Sequence, residues 1–297
     1  MIEIPLQFLG IKWKDGAPNF LVARGTELEY LDIPATINLT KTNVKKCVGY
    51  YDLAARCHMP CPSQIDFTGT DMSQCAHCQN SNGFGMCLSC NGDSCRADNP
   101  RGRAFCDQEH LVYLAYFPGR FKVGTAAAYR GLKRLYEQGA LFSVFFASAP
   151  NGQIARRIEQ AVNETGIAKN VSTSYKIANL AFDRGLDIIK LDLVQKLNEL
   201  RPKISADLAK YFTDPKYNIF ADIYQNLTDC LIEVRTKADL FGTSETVIKN
   251  YDRIIDATEI IGNVRAIIGG LIVIDNNGKL SVISMKNWEG FKIKFEK

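Results

Sequence analysis

Residues Cys106 to Ala140 read Cys-Asp-Gln-Glu-His-Leu-Val-Tyr-Leu-Ala-Tyr-Phe-Pro-Gly-Arg-Phe-Lys-Val-Gly-Thr-Ala-Ala-Ala-Tyr-Arg-Gly-Leu-Lys-Arg-Leu-Tyr-Glu-Gln-Gly-Ala. The apolar and aromatic run Leu111 to Phe117 has the composition of a buried strand. Pro118-Gly119 marks a turn, and Phe121 to Gly124 is a second short strand. Residues 126–138 then carry Leu132, Leu135 and Tyr136 at i, i+3, i+4, one apolar helix face, with Arg130, Lys133, Arg134 and Glu137 on the other side. A two-strand ribbon ending at a basic helix brings Tyr113, Lys122, Arg130 and Arg134 near one another. Guanidinium forks match phosphate oxygens, so this group is a candidate phosphate site.

Outward from this stretch, Leu141 to Ala147 reads as a third buried strand and Pro150-Asn151-Gly152 as a loop. Gln153 to Glu164 is a helix whose Ile154, Ile158, Ala161 and Val162 share a face, with Glu159 beside it. A surface glutamate paired with Arg156 or Lys169 is the bland reading of Glu159.

Upstream, residues 56–109 are polar, rich in Gly and Ser, and poor in aliphatic side chains. Such a segment cannot order itself by burying apolar surface. Nine of the ten cysteines lie between Cys47 and Cys106, and that clustering points to metal, whose binding would supply the missing stabilisation. Cys75-Ala-His-Cys78 and Cys87-Leu-Ser-Cys90 are C-x₂-C knuckles suited to a tetrahedral ion, and Cys57-x₃-Cys61 allows the same. The simplest partition is two Cys₄ zinc sites. One takes Cys75 and Cys78 with two of Cys47, Cys57 and Cys61. The other takes Cys87, Cys90, Cys95 and Cys106, with His110 as a substitute. An iron–sulfur cluster is the weaker rival. His58 and His77 read as exposed bystanders.

Val112-Tyr113-Leu114, Lys122-Val123-Gly124 and the arginine-bearing helix resemble the core of GIY-YIG nucleases. The wider text resembles an uncharacterised prokaryotic family that joins a cysteine-rich, zinc-binding segment to a diverged GIY-YIG-like core. The matching residues are Cys95-Arg96, Cys106, His110, Val112 to Ala115, Lys122 to Gly124, Arg134, Gln138-Gly139-Ala140 and Ile158-Glu159, with an Ile268-Gly269-Gly270 step near the end. The resemblance also starts at a Cys-Val-Gly-Tyr like Cys47 to Tyr50, so it leaves Cys47 with Cys61 and Cys57 with Cys61 equally open. It implies a catalytic set of Tyr113 for the water proton, Arg134 or Arg130 at the phosphate and Glu159 for Mg²⁺ or Mn²⁺. Lys122 departs from it, standing where those enzymes carry a second tyrosine.

The remainder sets the organisation. Residues 1–55 read as a small antiparallel β unit, 56–109 as a zinc-ribbon-like segment and 110–175 as the three-stranded core with its helices. Residues 176–240 are expected to be mostly helical, and 241–297 to form β hairpins, with Leu271 to Ile274 facing Leu280 to Ile283. The class is α+β. Trp13, Tyr30, Tyr50 and Tyr51 read as core aromatics before stacking platforms. Cys230, in an apolar run, reads as a buried hydrophobe. There is no run of 18 apolar residues and no signal-peptide pattern, so a cytoplasmic protein without a membrane span is expected.

A net charge of +4 with a pI near 8.4 permits nucleic-acid binding without demanding it. The concentration of charge in Arg96, Arg101, Arg103, Arg120, Lys122, Arg130, Lys133 and Arg134 is more telling. Two readings follow. One is a metal-dependent endonuclease acting on DNA or RNA. The other is a non-catalytic protein that binds structured RNA, such as tRNA or rRNA, or associates with the ribosome. A purely structural zinc protein would leave Arg130 and Arg134 unexplained.

Overall fold

The computed structural model describes residues 5–82, 87, 90–95, 99–181, 185–236 and 244–295; Arg96 lies outside them. The chain opens with β1 (Leu6–Lys14), β2 (Ala17–Arg24), β3 (Glu27–Asp32) and β4 (Thr36–Lys45). A small hairpin, β5 (Tyr50–Asp52) and β6 (Cys57–Met59), is followed by the short helices α1 (Ala76–Asn82) and α2 (Pro100–Cys106). The central module runs β7 (His110–Phe117), β8 (Arg120–Ala127), α3 (Gly131–Gln138), β9 (Phe142–Ala149), α4 (Gly152–Glu164) and α5 (Thr173–Ala178). Then come α6 (Leu186–Leu200), α7 (Ala206–Ala209), β10 (Phe212–Ile219), α8 (Ala221–Leu231), β11 (Ile232–Thr236) and β12 (Ser244–Ile248). The chain closes with β13 (Asp252–Ile254), β14 (Glu259–Ile268), β15 (Leu271–Asn276), β16 (Lys279–Ser284) and β17 (Phe291–Phe295).

The two ends of the chain, read from sequence as separate β units, form one sheet. Its nine strands run β13-β16-β15-β14-β4-β17-β1-β2-β3. β17 closes it by pairing with both β1 (Leu6 opposite Ile293) and β4 (Ile293 opposite Lys41). Phe8, Phe20, Ile37, Leu39, Ile272, Trp288 and Ile293 form one apolar cluster, so the two ends of the chain share one core.

The central sheet has the order β10-β9-β7-β8. Apolar side chains cover both faces. Val112 and Leu114 meet Ala155, Ile158 and Val162 of α4 and Ile189 and Leu193 of α6. Tyr113, Ala115 and Phe117 meet Leu135 of α3. Burial on two faces is why β7 reads as an unbroken apolar run. α4 starts where Asn151 accepts a hydrogen bond from the Ile154 amide at 2.9 Å, a side-chain N-cap. Its fully buried Ile158 and Val162 contribute about 2 kcal/mol each by leaving water.

Three local expectations change. β8 continues through Ala127, and the helix begins only at Gly131; the alanines there are buried against a paired strand, which outweighs their helix propensity. Leu132, expected on the apolar face, is 47 % exposed. A fourth strand, β10, lies within the stretch expected to be helical. Pro215 and a register shift between Phe212 and Lys216 mark it as an irregular edge strand. Cys230 is half-buried at the end of α8, its thiol donating to the Leu227 carbonyl. Among the described residues no helix is long and apolar enough to cross a membrane.

The two sheets meet at α3. Trp13 stacks on Tyr136 (centroids 4.9 Å apart), and Tyr136 stacks on Phe220 (4.0 Å). The Trp13 indole donates to the Gly269 carbonyl at 3.2 Å. Gly269 has φ +60°, and a Cβ on it would stand 2.9 Å from the Glu137 carbonyl oxygen and 3.0 Å from the Gly139 nitrogen. Only glycine suits both the left-handed backbone and that approach. Gly269→Ala is therefore expected to cost about 1–3 kcal/mol of unfolding free energy. Urea denaturation checks this; an unchanged midpoint would mean that the α3 contact is slack.

Candidate functional site

Four cysteines from three places in the chain converge. Cys47 follows β4, Cys61 follows β6, and Cys75 and Cys78 stand at the start of α1 and within it. Their sulfurs all lie within 4.8 Å of one another. Cys61 and Cys75 are 3.9 Å apart, and the Cys75 amide donates to the Cys47 sulfur at 3.3 Å. All four are free thiols, and Cys47, Cys61 and Cys78 are at most 1 % exposed. Zinc–sulfur bonds of about 2.3 Å in a tetrahedron put sulfurs about 3.8 Å apart, so the set fits a metal ion such as zinc. Burial pushes the Cys47 and Cys78 thiols up, whereas the Cys78 amide draws the Cys75 thiol down. Cys57 stands outside the group. It is exposed, pairs with Asp52 across the hairpin and turns its sulfur towards Met59 at 3.8 Å.

A second set of thiols gathers at the start of α4. Cys87 feels the charges of Cys90, Cys95 and Cys106, and burial pushes both the Cys87 and Cys106 thiols up. The Gly152 and Gln153 amides draw the Cys106 thiol down against burial. His110 closes on the same spot: a Cβ built on Gly152 would lie 3.1 Å from the Cys106 sulfur and 3.2 Å from His110 Nε2. His110 Nδ1 is 2.8 Å from the Gln108 carbonyl and donates to it in the neutral ring, which leaves Nε2 as an acceptor. Among the described residues, this set is not drawn as tight as the first.

On the ribbon, Tyr113 lies opposite Gly124, and Lys122 opposite Ala115. Tyr113 and Lys122 thus share a face on the diagonal. A Cβ at position 124 would overlap the Tyr113 ring and hydroxyl, so glycine is what lets the ring lie flat across β8. Tyr113 is 1 % exposed. Burial pushes its phenol up and outweighs the downward pull of the Arg134 and Arg156 charges; Glu159 pushes the same way as burial. Glu159 is 2.7 Å from Arg156 one turn away. Arg130 is ion-paired with Glu137, and Arg134 lies 3.9 Å from the same carboxylate.

Lys122 Nζ donates to Gln138 Oε1 at 2.9 Å, and Lys176 Nζ donates to the Gln138 carbonyl at 2.6 Å. Burial, then Arg134, lowers the Lys122 ammonium, against an upward pull from Glu159. Burial, then Lys122 and Arg134, brings Lys176 down to about 7. Arg120 is elsewhere: it stacks on Tyr175 at 3.9 Å and donates to the Asn170 carbonyl.

A cleft of about 1020 Å³ opens between the large sheet, the β5–β6 hairpin, α3 and α5. Seven cations line it (Lys12, Arg56, Lys122, Arg130, Lys133, Lys176 and Lys286) against the carboxylates Glu137 and Glu289. Glu137 is held by Arg130, and burial raises Glu289, so basic side chains outnumber acidic ones on the lining by seven to two. Tyr30, Tyr51 and Tyr129 stand on its walls. Arg56 lies over the Tyr129 ring at 4.1 Å, and burial, then the neighbouring Tyr129, pushes the Tyr51 phenol up. His58, expected to be a bystander, is a half-buried wall residue; its Nε2 is 2.6 Å from the Val48 carbonyl, and burial lowers it to about 4. Tyr113, Arg134 and Glu159 are not on the cleft surface. The sequence reading missed Lys12, Arg56, Lys176 and Lys286. No local pattern marks them, because the walls come from segments that lie far apart in the chain, from Lys12 to Lys286.

Neither a curated protein nor a solved structure matches the chain. From residue 62 to residue 293 it matches the family described as "Protein of unknown function (DUF2797)", and the protein belongs to that family.

Proposed function

We propose that this is a zinc-stabilised nucleic-acid-binding protein that holds structured RNA or DNA in the basic cleft. The observation that carries the reading is the lining: seven basic side chains against two carboxylates, one of them paired with Arg130, with tyrosine rings on the walls. Cations follow a phosphate backbone and aromatic faces accept unstacked bases. Zinc at Cys47, Cys61, Cys75 and Cys78 holds the hairpin that forms one wall. A second zinc takes Cys87, Cys90, Cys95 and Cys106, with His110 Nε2 available in place of one thiol.

A phosphodiesterase of GIY-YIG type, using Mg²⁺ or Mn²⁺, is the second reading. It is favoured by the neighbourhood of Tyr113, Arg134 and Glu159. The chemistry weighs against it. A phenol that is 1 % exposed and pushed upward does not take a proton from water. Glu159 faces Arg156 instead of presenting a free carboxylate. Lys122 cannot replace a phenol.

One experiment separates the two readings. Wild type and Glu159→Gln are titrated into labelled single-stranded, duplex and branched DNA and structured RNA, with and without Mg²⁺ or Mn²⁺. The expected result is equal, salt-sensitive binding by both proteins and no cleavage. Metal-dependent cleavage lost in Glu159→Gln would establish the enzyme. No binding to any of the nucleic acids would overturn the cleft reading.

A further inference from the structure

Lys122 and Lys176 come from elements 54 positions apart, yet both ammonium groups are hydrogen-bonded to one residue, Gln138. Both side chains are half-buried, and both line the cleft. Arg134 adds a third positive charge that acts on each of them. Nearby carboxylates do not balance the group. Glu159, which acts on Lys122, is engaged by Arg156 at 2.7 Å, and Glu137 is shared by Arg130 and Arg134, so among the described residues neither lysine has a carboxylate partner. The charges acting on Lys176 are those of Lys122 and Arg134. Partly buried like charges destabilise a fold unless a counterion joins them.

We propose that Lys122 and Lys176 form the seat for a terminal phosphate of the bound nucleic acid. This rests on the nucleic-acid reading and names the group it recognises. Charge count selects the terminus. An internal phosphodiester carries one negative charge, whereas a phosphate monoester carries about −1.5 to −2 at neutral pH and better matches two neighbouring ammonium groups. The remaining hydrogens of each ammonium are donors for its oxygens. Burial first, and then the charges of Lys122 and Arg134, depress the Lys176 ammonium, and a bound dianion would offset the repulsion. The seat also gives Lys122 a function that does not depend on the chemistry of a tyrosine.

The test uses the full-length zinc-loaded protein and four probes: inorganic phosphate, and one short single-stranded oligonucleotide with a 5′-phosphate, with a 3′-phosphate or with both ends hydroxyl. Wild type is expected to melt higher in phosphate than in chloride of equal ionic strength. It is also expected to bind one of the phosphorylated oligonucleotides at least about tenfold more tightly than the hydroxyl form. Lys176→Met keeps the apolar stem over Phe117, which the Lys176 ammonium faces at 4.9 Å, and Lys122→Gln is the second variant. Each is expected to bind the hydroxyl oligonucleotide somewhat more weakly, as loss of any cleft cation would cause, and to lose the ratio of phosphorylated to hydroxyl affinity, which is the quantity read. Equal affinity of wild type for all three oligonucleotides would overturn the seat and leave the cleft reading in place. So would a preference that survives in both variants. If no oligonucleotide binds but phosphate still raises the melting temperature in a Lys176-dependent way, the anion seat stands and the nucleic-acid reading falls.

Discussion

Removing the metal from the first cysteine centre is expected to melt residues 47–82 and abolish nucleic-acid binding, while the nine-stranded sheet stays folded. The segment has almost no core of its own. Its buried cluster is Cys47, Cys61, Phe67 and Cys78, with Tyr50 and Cys75 packed beside it. One phenylalanine contributes about 2–3 kcal/mol of burial, whereas a structural zinc contributes on the order of 10 kcal/mol. Loss of the ion therefore removes the dominant stabilisation. The β5–β6 hairpin carries Tyr51, Arg56 and His58 to the cleft, so the wall goes with it. Hydrogen exchange before and after chelation checks the local effect, and anisotropy with a labelled oligonucleotide checks the coupling. Cys78→Ser, at a position with no exposure, is expected to copy chelation. Cys57→Ser, outside the cluster, is expected to leave metal content unchanged. Unchanged exchange in 47–82 on chelation would show that the ion is not structural, and elemental analysis finding iron would replace zinc.

How far these features could be read from sequence depends on how local their causes are. β7, β9 and α4 are legible because burial on a sheet and on one helix face leaves an apolar run and a 3.6 periodicity. The knuckle Cys75–Cys78 is legible because its spacing is itself the geometry of ligation. The choice between Cys47 and Cys57 was not, since it depends on how the β5–β6 hairpin turns. Arg56, at φ +55°, lies in that turn and leaves Cys57 on the exposed side. The closure of β17 onto β1 and β4 joins residues more than 240 positions apart and leaves no local mark. β10 was hidden by Pro215 and by its mostly exposed side chains, which give no strand alternation. Lys176 sits in a six-residue helix that looks like any capped surface turn. Its neighbours Lys122 and Arg134 matter only after α5 packs beside α3.

Replacing Arg56, Lys133 and Lys286 together by alanine is expected to weaken nucleic-acid binding about 10- to 100-fold near 0.1 M salt and to flatten its salt dependence. These residues come from three walls of the cleft: the hairpin, α3 and the turn after β16. All three are exposed, so their truncation is expected to change stability by no more than about 0.5 kcal/mol. Each phosphate contact contributes about 0.7–0.9 to the slope of log affinity against log salt, so three lost contacts lower it by about 2–3. Net charge alone is a rival cause, because the triple variant falls from +4 to +1. The control is Lys203→Ala, Lys216→Ala and Lys294→Ala, three exposed lysines outside the cleft lining that lower the charge equally. At 0.1 M salt the Debye length is about 10 Å, so remote charges are largely screened and contacting ones are not. The control is therefore expected to keep nearly wild-type affinity and slope. An equal loss in both triples would mean that binding follows overall charge, and the cleft would lose its claim to be the interface.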